Sequence, residues 1–279
     1  MSLLISILVL LVAFLITAII LVAPGRATEE MKAPFRNRYF AHRGLHTPDK
    51  SVPENSLAAY EAACRKGYGI ELDVRLTSDG RVVMMHDPDL NRMCGVDLAI
   101  EDCTYEELSQ YTLAETNERI PLLKDALKLI DGRVPIIVEI KPCNSSLSLS
   151  KKTMSLLAPY TGAYCVESFD PTIVRWLKYN APVVLRGQLA HRLKDYDNSL
   201  PWIGRLFAAN CLFGLLGRPH FIAYETGHKP WTVKLTKLMG AMHVVWTSHP
   251  KEMGGTPEKD ARENDSVIFE FYEPPINIK

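Results

Sequence analysis

The stretch GYGIELDVRL, residues 67–76, decides how the chain is read. It has the apolar density of a buried β-strand, yet it carries two carboxylates, Glu71 and Asp73. Strand side chains alternate between faces, so Glu71 and Asp73 point one way while Ile70, Leu72 and Val74 point the other. Two anions side by side repel, and burying an unpaired charge is expensive. The acidic face therefore needs a cation.

Outward from this stretch the chain alternates strand-like and helix-like runs. Further candidate strands are 37–42, 134–141, 162–168, 182–187, 219–224, 241–247 and 266–271. Between them lie segments with helical periodicity, such as NSLAAYEAACRKG, LLKDALKLIDG and DPTIVRWLKYN, which often open on Asn, Asp or Pro and sometimes close at Gly. Eight strands interleaved with helices predict an α/β fold, a closed (β/α)8 barrel of the TIM type. No G-x-G-x-x-G follows the first strand, which argues against an open dinucleotide-binding sheet. TSDGRVVMMHD adds a hairpin turn at Asp79-Gly80 and a short strand before His86.

Composition limits the function classes. With 279 residues and 47% hydrophobic content the chain can build one large core. Lys plus Arg and Asp plus Glu both number 32, so there is no global basic excess for nucleic acid, and no nucleic-acid partner is expected. The six cysteines are scattered without C-x-x-C spacing, which suggests neither a zinc knuckle nor a redox dithiol. Ser2–Ala23 contains no charged residue, and about 22 helical residues match a hydrocarbon core of roughly 30 Å. No basic residue precedes this run, unlike a secretory leader. The expected division is a transmembrane anchor at 1–25, a juxtamembrane linker at 26–37 and a catalytic domain at 38–279. Arg26, Lys32, Arg36 and Arg38 after the span favour a single-pass membrane protein with its catalytic domain in the cytoplasm.

Polar residues collect at the predicted strand ends. The first strand ends at His42-Arg43-Gly44, the short strand leads to His86-Asp87, and VEIKP places Glu139 and Lys141 on one face. In a β/α barrel these ends converge on one rim. Glu71, Asp73 and Glu139 are hard oxygen donors suited to one Ca²⁺ or Mg²⁺ rather than zinc. Asn55, before SLAAYEAA, reads as a helix N-cap as well as part of a site motif. His191, His220, His228, His243 and His249 read as surface or packing residues.

AHRG at 41–44, PENS at 53–56, ELDV at 71–74, MHDP at 85–88 and VEIKP at 138–142 occur in this order. Weaker echoes are ESFD at 167–170, RGQL at 186–189 and VWT at 245–247. In these motifs the chain resembles the glycerophosphodiester phosphodiesterases, from about Tyr39 to the C-terminus. The resemblance implies a metal-dependent hydrolase of glycerophosphodiesters with Glu71, Asp73 and Glu139 on the metal and His42 and His86 as acid–base catalysts. It further implies Arg43, Lys141, Phe169 and Trp246 on the substrate side, supported by Glu54, Asn55 and Asp87. WTSH stands where the family has WTVN, and Ser56 where it usually has Thr.

The chemistry agrees with that set. A phosphodiester is anionic and its alkoxide leaving group is poor, so a cation with Arg43 and Lys141 offsets charge while histidines move protons. Two alternatives are a lysophospholipase D-like action on lysolipids and a non-catalytic, membrane-tethered module that binds phosphodiesters. LPWIGRLFAANCLFGLLG, residues 200–217, lies outside every motif and reads either as an apolar outer helix or as a helix at the membrane interface.

Overall fold

The computed structural model describes residues 2–197 and 200–278. Nine strands form one sheet: β1 (Arg38–Ala41), β2 (Gly69–Leu76), β3 (Val82–Met84), β4 (Ile136–Ile140), β5 (Tyr164–Ser168), β6 (Arg186–Ala190), β7 (Phe221–Glu225), β8 (Met242–Ser248) and β9 (Ser266–Phe269). Because β1 pairs in parallel with both β2 and β9, the sheet closes on itself. Eight strands make the parallel barrel, and β3 hangs antiparallel on β2. This is the predicted barrel with its predicted hairpin. β3 leads into an insertion with its own small core around Val83, Met93, Ile100 and Leu108.

Strand alternation sets two layers of core. Outward-pointing Ile70, Leu72, Val74, Val138 and Val166 pack under the surrounding helices. The helices used below are α1 (Ser2–Val22), α2 (Leu57–Lys66), α3 (Leu123–Ile130), α4 (Ser146–Leu157), α5 (Pro171–Asn180), α6 (Trp202–Ala209), α7 (Trp231–Leu238) and α8 (Pro257–Glu263). The opposite strand face supplies a second cluster that includes Phe40, Ile137, Cys165, Phe221, Met242 and Ile268. Two glycines make room for its rings. A Cβ on Gly69 would lie 2.4 Å from the Phe40 ring, and one on Gly187 would lie 2.2 Å from the Phe221 ring. The barrel is filled by apolar side chains toward its N-terminal end and by carboxylates toward its C-terminal end.

Three local readings change. The strand expected at 182–187 starts at Arg186; Val183 is 81% exposed and belongs to the turn that closes α5, so its β-branched run is not a strand. Residues 26–37, expected as a linker, pack against the barrel. Phe35 is buried and stacks on Phe40 at 6.2 Å, and Ser266 Oγ donates to the Phe35 carbonyl. Residues 200–217 form α6, a turn, and the short helix Gly214–Gly217 rather than one continuous helix. All six cysteines are free thiols.

Candidate active site

The rim of the barrel is built by register. Asp73 on β2 lies beside Glu139 on β4, and Glu139 beside Glu167 on β5. Since all three face inward, adjacent parallel strands deliver a row of carboxylates, with Glu71 two residues before Asp73. Glu71, Asp73 and Glu139 each offer an oxygen within 4.8 Å of the others, and all are buried. Glu167 is also buried, and its Oε2 has no hydrogen-bond partner among the described residues.

Two cations enter this cluster. Lys141 Nζ sits 2.9 Å from Glu139 and 3.1 Å from Asp73. Arg43 places Nε 3.4 Å from Asp73 and donates its backbone N–H to Glu71 Oε2 at 3.0 Å. Four buried carboxylates against two cations leave two negative charges unbalanced among these six residues. A divalent cation matches that deficit, and the orphaned Glu167 oxygen marks where donor capacity is unused. The residues present fit a hard divalent ion.

The titration behaviour follows. Burial, reinforced by Asp73 and Glu139, raises the Glu71 carboxyl well above its ordinary range. Burial, with Glu139, does the same to Glu167. Burial opposes ionisation of Asp73, but Lys141, His86 and Arg43 hold it well below the usual carboxylate value. Burial raises Glu139 as well, against the pull of Lys141.

Both expected catalytic histidines have a carboxylate on Nδ1. His42, one residue past β1, bonds Glu270 at 2.8 Å, and its Nε2 lies 4.0 Å from Glu71 Oε2. His86 bonds Asp87 at 2.7 Å, and Asp87 is held in turn by Arg92 Nε at 2.6 Å. Such pairing fixes the tautomer and leaves Nε2 for chemistry. Burial and Arg43 lower His42 from 6.5 to about 4. Burial alone would raise Glu270, yet the bond to His42 and the approach of His46 Nε2 at 3.4 Å keep it below the usual range.

The remaining expected residues lie close by, with some changes of role. Glu54 is clasped by Arg43 and Arg92, each at 2.7 Å, and serves as an anchor for those guanidinium groups. Asn55 is not the N-cap of α2. Ser56 is, accepting from Ala59 N, because Asn55 adopts φ 53° and turns inward. Its Nδ2 donates to Asp73 Oδ2 at 2.9 Å and its Oδ1 accepts from Tyr60 at 2.9 Å. Phe169 and Trp246 meet edge to face at 5.5 Å.

Sequence reasoning missed six residues here, among them Arg92, which clasps Glu54 and Asp87, and His46, whose Nε2 lies 3.4 Å from Glu270. Glu167 had a legible signal, because it repeats the in-facing phase of Glu139. Glu270 had none, since only barrel closure brings β9 to His42. His191 and His249, read as surface or packing residues, belong to the rim. His191 stacks on Phe169 at 4.6 Å, and His249 Nδ1 lies 3.4 Å from Glu270. His220 and His243 are buried packing residues.

Fold and site together define a β/α-barrel protein with an acidic, cation-type centre flanked by two carboxylate-oriented histidines. The chain belongs to the glycerophosphoryl diester phosphodiesterase family, whose model matches residues 42–248. A glycerophosphodiester phosphodiesterase of Bacillus altitudinis is 41% identical over 115 residues, 39% of this chain and 46% of that protein. Lysophospholipase D GDPD1 of Homo sapiens is 31% identical over 161 residues, 53% of this chain and 49% of that one. The chain thus spans about half the length of these curated relatives. The same fold occurs in an Oleispira antarctica phosphodiesterase solved with sn-glycerol-3-phosphate, with a TM-score of 0.67, 22% identity and coverage of 84% of this chain and 93% of that chain.

Proposed function

We propose that the protein hydrolyses glycerophosphodiesters to glycerol 3-phosphate and an alcohol. The observation that carries this reading is the convergence of His42 and His86, each oriented by a carboxylate, on an acidic cluster that also holds Arg43 and Lys141. Family membership and the glycerol-3-phosphate complex of the Oleispira antarctica protein support the substrate class.

Glu71, Asp73 and Glu139 would hold one divalent cation, Ca²⁺ or Mg²⁺. When bound, it supplies Lewis-acid polarisation of the phosphoryl oxygens. Arg43 and Lys141 stand beside these carboxylates, where they bind the phosphate and offset the charge that grows on it during attack. The attacking hydroxyl is either the substrate's neighbouring glycerol hydroxyl or water, and one histidine Nε2 takes its proton. The phosphorus–oxygen bond to the alcohol then breaks, and the other histidine returns a proton to the departing oxygen. Attack by water yields glycerol 3-phosphate directly, whereas attack by the glycerol hydroxyl yields a cyclic phosphodiester that a water then opens to glycerol 3-phosphate. Phe169 and Trp246 wall the substrate side. Residues 1–25 serve as the anchor, residues 26–37 as the connection into the barrel and residues 38–279 as the catalytic domain, and the basic flank supports a cytoplasmic side for that domain.

Product release from glycerophosphocholine and glycerophosphoethanolamine, with and without EDTA, tests the reading. Glycerol 3-phosphate should appear and EDTA should suppress it. His42→Ala and His86→Ala should each lower turnover by at least about 10²-fold. Absence of product from both substrates would overturn the activity, and EDTA-insensitive turnover would overturn the cation.

A second reading gives the substrate one acyl chain. It is favoured by a cavity of ≈ 570 Å³ beside the site, lined by Phe169, His191, Leu200, Gly204, Ala208 and Phe213 among others. Turnover that rises with chain length from the deacylated diester to lysolipids would select it.

A further inference from the structure

We infer that a phospholipid bilayer lies against the catalytic rim, so that the active-site mouth opens toward the lipid rather than toward bulk solvent. The proposal goes beyond the hydrolase reading and rests on α1 being a retained membrane helix.

The direction of α1 carries the argument. Arg218 and Pro219 lead into β7 and therefore lie at the end of the barrel opposite the site. Trp231 opens α7 after the C-terminal end of β7 and therefore lies at the rim. The last turns of α1 are tied to the far end. Arg218 Nη1 donates to the carbonyls of Ile20 at 3.0 Å and Ala23 at 2.9 Å, and Gly25 N donates to Pro219 O at 3.0 Å. Ala18 and Val22 are buried there. Gly214 permits the approach, because a Cβ would stand 2.9 Å from the Leu21 carbonyl. Two turns earlier, Phe14 meets Trp231 with ring centroids 6.2 Å apart. So α1 runs down the flank antiparallel to the strands, and its N-terminal half leaves the protein on the catalytic side.

Length sets the depth. Ser2–Ala13 extends beyond the Phe14–Trp231 contact by about 18 Å, at roughly 1.5 Å per residue. A hydrocarbon core is roughly 30 Å thick. The projecting half falls short of that thickness, so the bilayer thins locally and is held down to the level of Phe14 and Trp231. The rim around Trp231 is thereby brought against the membrane boundary.

The rim beside α1 has the surface for that position. α6 follows β6 and borders the mouth. Its C-terminal end is fixed at rim level, where Tyr224 donates to the Ala209 carbonyl at 3.0 Å and Thr232 to Asn210 at 3.1 Å. One side of α6 lines the cavity next to Phe169. At its opening turn Trp202 and Ile203 are 60% and 62% exposed, and Trp231 is 48% exposed. An exposed tryptophan beside the apolar helix exit, Trp231, and another at the start of α6, Trp202, suit a headgroup boundary, where the indole ring meets hydrocarbon and its N–H meets water.

The test uses the full chain reconstituted in phosphatidylcholine vesicles containing lipid brominated near the headgroup. Tryptophan emission should be quenched, and the Trp202→Phe, Trp231→Phe double variant should lose most of that quenching. Trp202→Glu with Ile203→Glu should keep turnover of soluble glycerophosphocholine within about twofold while relieving the quenching of Trp231. If the chain stays with the vesicles but quenching is absent, or is unchanged in the double variant, the rim does not meet lipid and the proposal fails while the anchor stands. If the chain washes off the vesicles, the anchor and the proposal fail together. Neither result depends on the hydrolase activity.

Discussion

At the scale of single residues, Glu71 shows how the site is balanced. It shares its pocket with Asp73, Glu139 and Glu167, and Arg43 and Lys141 stand against them. Glu71→Gln removes one of the repelling charges, so the apo protein should fold at least as well as the parent. In the proposed cation site it also removes the charge of one donor oxygen. Loss of several kcal/mol of charge stabilisation should lower kcat/KM by at least about 10²-fold. Added Ca²⁺ or Mg²⁺ should raise the Tm of the parent and not that of the variant. Equal ion-induced shifts in both proteins would remove Glu71 from the cation site. Glu270 bonds His42 Nδ1, and in the proposed mechanism it works through that histidine. Glu270→Gln should lower kcat by about 10- to 100-fold, and His42→Ala placed on that background should cost much less than it does alone. Losses that simply multiply would mean that Glu270 does not work through His42.

At the scale of elements, the strands hold the site by what they leave out. Gly187 on β6 faces Phe221 on β7, its neighbour in the sheet. An alanine there would set its methyl 2.2 Å from the ring, and the buried aromatic has no room to retreat. Gly187→Ala should destabilise the barrel by about 1–3 kcal/mol, the usual cost of overpacking. Urea midpoints measure this, and a midpoint equal to the parent's would show that the β6–β7 contact can relax. The strands were the legible part of the chain because a buried parallel strand needs a dense apolar run in any context. The exception is instructive. Residues 182–185 carry such a run, but α5 ends at Asn180 and the chain must still turn back toward the sheet, so its valines are spent in the turn.

At the scale of the whole molecule, buried neutral histidines couple stability to pH. Burial, with Lys229 and Lys237 nearby, lowers His243 from 6.5 to about 3, and burial with Arg186 lowers His220 to about 4. Both folded values lie below the unfolded one, so the unfolded chain binds more protons in acid. Their contribution is complete above pH about 6.5 and is lost as the pH falls toward the folded values. Each can remove up to about 1.4 kcal/mol per pH unit across that window. His243→Gln, which can keep the bond to Thr236, should flatten the stability curve between about pH 6.5 and 4. Parallel curves for parent and variant would show that His243 is not held neutral.

The sequence by itself determined the barrel, the apolar N-terminal helix, and the inward phase of Glu71, Asp73, Glu139 and Lys141. Alternation along a strand and length along an apolar run are local properties, and they persist in any fold that buries those strands. Only the tertiary structure decided what those side chains meet. Glu270 reaches His42 across 228 positions of chain because β9 closes against β1. Arg92 reaches Glu54 from the insertion after β3, and Asn55 abandons the helix cap for Asp73. The course of α1 along the barrel flank belongs to the same class. Composition made α1 apolar, but the packing of Gly214, Arg218 and Trp231 set the side of the barrel from which it departs. Such contacts depend on closure of the sheet and on the docking of one element against another, and neither is encoded in spacing along the chain.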